Sequence, residues 1–169
     1  MSFPFDPIRR AALLWQRAWG DHSQSQAMAT ATSIMRVQQL LLSRFDAMLS
    51  DYGLTFSRYE ALVLLSFSRD GRLPMSLLGA RLMVHPTSAT HTVQRLEAQG
   101  FVARTPNPQD GRGTLAEITP AGRQVLHEAT QALVADGFGL GCLSEDENGQ
   151  LYRLLETVRR TAGDFEEPA

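Results

Sequence analysis

Between Pro86 and Gly122 the hydrophobic period of the chain switches from helix to strand and back. That switch restricts the fold more than composition does. In PTSATHTVQRLEAQG, Ala89, Val93 and Leu96 fall at i, i+4 and i+7 and form one narrow apolar seam of a helix. Pro86 suits the first turn, where its missing N–H is not needed, and Gly100 suits the left-handed position just past the end. FVARTP and TLAEIT then read as short strands joined by the turn-rich NPQDGRG. Thr119 and Pro120 read as the cap and first residue of a further helix. A hairpin that follows three helices makes a winged helix-turn-helix.

The flanks are helical. PIRRAALLWQRAW is a short amphipathic helix, and after the polar GDHSQSQ a long helix runs from about Ala27 to Tyr52, ended by Gly53. Its main stripe includes Ile34, Val37, Leu41 and Phe45. Ser57 and Glu60 match a capping box at the head of RYEALVLLSFS. DGRLP is a turn or short edge strand, Ser76 opens SLLGARLM, and Ser144 caps a final helix after GLGC. The expected fold class is mainly α with a small β-hairpin wing (α+β). A winged helix-turn-helix over 53–119 is flanked by helical regions at 1–52 and 120–169, in one compact unit.

The charge is uneven. The chain of 169 residues has a net charge of −2, yet the stretch from Thr55 to Pro120 holds seven arginines against five acids. A local basic excess fits a surface that faces DNA, and ordinary surface variation produces the same numbers. All sixteen basic residues are arginine, which a GC-rich genome also explains. The first residues lack an apolar signal core, and no apolar run approaches the ~18 residues of a membrane span, so the cytoplasm is the expected compartment. The lone Cys142, with Glu145, Asp146 and Glu147 nearby, is expected to be inert. Four histidines without paired ligand spacing imply no metal, and no cofactor is expected. No phosphate-binding glycine loop or nucleophile motif is present, so the chain does not read as an enzyme.

GLTFSRYEALVLL, PTSATHTVQRLEAQGFVAR and PQDGRGTLAEITPAG, in that order, resemble the MarR family of bacterial transcription regulators. The resemblance is close from about Gly53 to Gly122. It implies a homodimer built from the N- and C-terminal helices, a palindromic double-stranded DNA site, and repression relieved by a small molecule or oxidant. Two positions depart from the common pattern: Gly111 replaces the usual arginine before Arg112, and His91 stands where arginine or asparagine is frequent. Trp15 and Asp46 resemble the urate-responsive branch, but Thr92 occupies the position of that branch's pocket arginine, so urate is not implied.

The polar face of the helix at about 86–99 then has a use. An α-helix fits the B-DNA major groove, where Thr87, Ser88, Thr90, His91 and Gln94 can reach base edges. Arg95 lies at the flank and suits phosphate or guanine. In the wing, at about 101–118, Arg112 suits a narrow A·T-rich minor groove, and Asp110 suits the orientation of an arginine, Arg112 or Arg95. Trp15, Trp19, Met35, Phe56, Tyr59 and Met75 are candidates to border a pocket for a small aromatic or apolar effector, with Trp15 and Tyr59 as the chosen contacts. A winged-helix module that binds protein instead of DNA is the alternative reading.

Overall fold

The computed structural model describes residues 3–108, 110 and 113–166. Helix α1 (Pro7–Trp19) starts where the Asp6 carboxylate accepts the N–H groups of Ile8 and Arg9, and it stops at the left-handed Gly20. It lies along α2 (His22–Leu49), with the Trp15 and Trp19 rings 4.5 Å apart. The polar stretch expected to connect these helices is instead the first turn of α2. Asp21 accepts the Ser23 N–H at 2.8 Å and so starts the helix five residues early. A turn held by a side-chain cap needs no apolar residue, and hydrophobic periodicity cannot register it.

After a short 3₁₀ turn, α3 (Phe56–Phe67) carries Tyr59, Ala61, Leu62 and Leu65 into the core. The expected Ser57 cap is not formed. Thr55 holds the cap position without a side-chain bond, and Asp46 of α2 accepts the Phe56 N–H at 2.7 Å. The cap arrives from the preceding helix, and Ser57 is already helical. Strand β1 (Arg72–Pro74) leads into α4 (Met75–Arg81), one residue earlier than Ser76 would have it. Then α5 (Pro86–Ala98) buries Ala89, Val93 and Leu96, the three seam residues, against the core.

Strands β2 (Val102–Pro106) and β3 (Thr114–Ile118) form the wing, and β1 adds to the far side of β3 in the order β1-β3-β2, all antiparallel. Helix α6 (Pro120–Ala135) begins at Thr119. Its hydroxyl accepts the Gly122 N–H at 3.0 Å and donates to the Gly100 carbonyl at 2.7 Å, fixing α6 to the turn after α5. An ion pair from Arg44 to Asp136 ties α2 to the end of α6. Helix α7 (Glu145–Thr161) starts in a complete capping box of Ser144 and Glu147. The core gathers Leu49, Leu62, Leu65, Leu78 and Leu133 from the helices and Leu54 from the link before α3.

Candidate nucleic-acid interface

Because Ala89, Val93 and Leu96 are fixed inward, the helical period sends the rest of α5 outward. Thr87, Ser88, Thr90, His91, Gln94 and Arg95 are all exposed. His85 precedes the helix and its ring Nδ1 accepts the Thr87 N–H at 3.3 Å, so the first turn is held by a side chain at the surface. The Thr90 hydroxyl donates to the Pro86 carbonyl at 3.0 Å, which leaves its lone pairs and methyl unused at the surface. No ion pair within the described residues engages His91, Gln94 or Arg95.

Two clefts flank this helix. On one side lies a volume of about 280 Å³ lined by Thr55, Ser57, Arg58, His91, Thr92 and Arg95. Arg58 is held there by bonds to the Gly53 carbonyl at 2.9 Å and the Gln99 side chain at 3.0 Å. Gln99 itself donates to the same carbonyl at 2.7 Å. Two guanidinium groups, an imidazole and three hydroxyls therefore surround one opening, a chemistry suited to a phosphate oxygen. Sequence reasoning missed Thr55, Ser57 and Arg58. On the other side, Ser76 of α4, Thr90, Arg104, Asn107 and Asp110 border a cleft of about 340 Å³ between α5 and the wing. Arg104 is paired there with Glu97 of α5 at 2.6 Å.

The wing connection is closed by backbone bonds, Asn107 N–H to Gly113 carbonyl at 2.9 Å and Gly113 N–H to Asp110 carbonyl at 2.8 Å. Asp110 is exposed at this turn. Arg112, expected in the minor groove, lies outside the described residues.

The residues chosen as effector contacts fall elsewhere. Tyr59 is buried and its hydroxyl meets that of Thr130 at 3.2 Å. Trp15 packs beside Trp19, and its buried indole N–H has no acceptor among the described residues. Neither lines the apolar groove of about 660 Å³ that runs between α2, α3 and α7. Of the pocket candidates, Phe56 alone does.

Comparison with known proteins agrees with this geometry. A model of the MarR family matches residues 52–113, which hold α3 to α5 and the first strand of the wing, β2. The crystal structure of Sco5413, a MarR family transcriptional regulator from Streptomyces coelicolor, is 56% identical, with a TM-score of 0.78 over 84% of this chain and 99% of that one. Sco3205, a MarR family transcriptional regulator from the same organism crystallised in complex with DNA, is 27% identical, with a TM-score of 0.74 over 86% of this chain and 92% of that one. The HTH-type transcriptional regulator SarZ of Staphylococcus epidermidis is 28% identical across 50% of this chain, and the match spans just over half of SarZ, 56%. The chain belongs to the MarR family of transcriptional regulators.

Proposed function

We propose that two copies of this chain bind one palindromic duplex site, each laying α5 in the major groove and its wing in the adjacent minor groove. The single observation that carries the reading is the exposed face of α5. Thr87, Ser88, Thr90, His91, Gln94 and Arg95 stand clear of the core, beside a cleft that adds Arg58. Base choice belongs to Thr90, His91 and Gln94, while Arg95 and Arg58 supply phosphate affinity. Arg112 serves the minor groove, with Asp110 orienting an arginine.

Residues 1–52 and 120–169 serve dimerisation and 53–119 serve DNA. No residue of α1 or α7 is buried. Yet Leu13, Leu14, Trp19, Tyr152, Leu154 and Val158 are more than half exposed, Leu154 at 68%. Apolar faces of that extent mark an interface, and a two-fold pairing of them sets two α5 helices about 34 Å apart. The regulator acts as a repressor, and a small apolar or aromatic effector releases it.

Selection of duplexes from a random pool, followed by anisotropy titration at several salt concentrations, tests the reading. Palindromic winners, two protomers per duplex and affinity that falls with salt support it. Absence of salt-dependent duplex binding would return the chain to the protein-interaction alternative.

A further inference from the structure

The groove between α2, α3 and α7 holds one ionisable side chain, and it is acidic. Ile34, Val37, Leu41, Phe45, Phe56 and Leu155 are among its apolar walls. Thr30, Ser33 and Gln38 are its neutral polar groups, and Glu60 is the only charged residue among the described residues that line it. In a chain whose sixteen basic residues are all arginine, no arginine among the described residues lines it. The Glu60 carboxylate has no hydrogen bond or ion pair among the described residues. Crowding by its neighbours, with no compensating partner, pushes that carboxyl above the ordinary glutamate range.

We propose that this groove binds a lipophilic organic cation, a protonated amine or amidinium on an aromatic or branched apolar body, with Glu60 as its counter-ion. Its volume, about 660 Å³, falls in the range of roughly 300–1,000 Å³ typical of small-ligand sites. The apolar walls take the body of such a ligand, and the charge decides among ligands of equal shape. An anion meets a carboxylate and no guanidinium. A neutral ligand strips water from Glu60 and gives nothing back. A cation pairs with it, and because Glu60 stands at the solvent-exposed rim, the pair keeps part of its hydration and escapes most of the desolvation cost of a buried bridge. An apolar helix of a second copy would cover Glu60 without that compensation.

The inference rests on the effector reading above and names the effector's chemical class. Calorimetry of the full chain without DNA, at neutral pH, tests it with three probes of one shape: para-tert-butylbenzylamine, para-tert-butylbenzyl alcohol and para-tert-butylbenzoate. The amine is expected to bind about tenfold tighter than the alcohol, the worth of one charge-assisted hydrogen bond, and the benzoate weakest. Glu60→Gln keeps the shape and should bring the amine to the level of the alcohol, whose own affinity holds or rises as the cost of desolvating a carboxylate is removed. Val37→Trp fills the groove and should abolish uptake of all three, with circular dichroism confirming that each variant is folded. Equal binding of amine and benzoate, an amine preference that survives Glu60→Gln, or no uptake of any probe would overturn the proposal. Duplex titrations are run separately, so a protein that binds the amine and no DNA sinks the regulator reading alone, and the converse sinks only the groove.

Discussion

Gly122→Ala adds one methyl at the point where α6 meets the base of the wing, and the structure leaves no room for it. A Cβ there overlaps the Phe101 carbonyl oxygen and falls 3.0 Å from both the Phe101 carbonyl carbon and Ile118 Cγ1. Carbon pairs prefer roughly 3.5–4.0 Å, and one of these partners is backbone, so the contact cannot be relieved by a rotamer change. Overpacking of this kind costs about 1–3 kcal/mol, and an immovable partner puts it near the top of that range. Replacing glycine in a helix returns up to about 1 kcal/mol. The net loss is then about 2 kcal/mol, which for a chain of this size lowers the melting temperature by about 4–8 °C. Gly149→Ala is the control. Its Cβ meets only Arg153 Nη1 at 3.5 Å, so the helix gain should appear without a clash and the melting temperature should hold or rise. Melts followed by circular dichroism at one fixed protein concentration compare the two. A Gly122→Ala protein that melts at or above wild type would show that α6 can lift from the wing at no cost, and the packing argument would fail.

Gln94→Ala should relax base preference at one position per half-site at a cost of about 1–3 kcal/mol, and indistinguishable selected sequences would remove Gln94 from the readout. Arg112→Ala should weaken operator binding and flatten the salt dependence by about one unit of slope per wing, read from titrations at several salt concentrations. Light scattering at micromolar concentration should return the mass of two chains, and a clean monomer contradicts the pairing of α1, α6 and α7. Asp136→Asn tests the α2–α6 tie. The Arg44 hydrogen bond, outweighing desolvation, holds the Asp136 carboxyl below its ordinary range. Its contribution to stability is therefore complete above the unfolded carboxylate pKa and fades as pH falls through the folded one. The gap between wild type and Asp136→Asn should be full at neutral pH and close in strong acid, and a gap that widens with acid would reverse the assignment.

Local chemistry was legible wherever one segment decides its own structure. The seam of Ala89, Val93 and Leu96 follows from helical period alone, and all three are buried at 1% exposure or less. Ser144 caps the final helix as its position predicts, and Glu147 three residues on completes a capping box with it. The same spacing at Ser57 and Glu60 does not close. There α2 delivers Asp46 to the Phe56 N–H from ten positions away, and the helix begins before Ser57. The two patterns are alike in sequence and differ only in what the tertiary structure brings near. Arg58 escaped notice for the same reason: it reaches Gln99 at the end of α5 across 41 residues, a separation no periodicity encodes. Tyr59 was chosen as an aromatic, but one step along a helix turns the side chain by about 100°. Tyr59 faces Thr130 in the core while Glu60 faces the groove.

That single turn of α3 lines both clefts. Phe56 and Glu60 line the apolar groove, whereas Ser57 and Arg58 line the basic cleft beside α5. These four residues belong to five consecutive positions on one helix and span only about 6 Å of its axis. The turn is anchored at both sides, by Asp46 of α2 at Phe56 and by Arg58 to Gly53 and Gln99. A body that wedges Phe56 away from Phe45, its ring neighbour at 4.9 Å, therefore moves the segment that holds Arg58 against the end of α5. The displacement needed is small, because an Arg–phosphate bond tolerates only a few tenths of an ångström before it weakens. If the groove takes an effector and the cleft a phosphate, as proposed above, their coupling requires no long pathway, only the rigidity of the one turn that lines both.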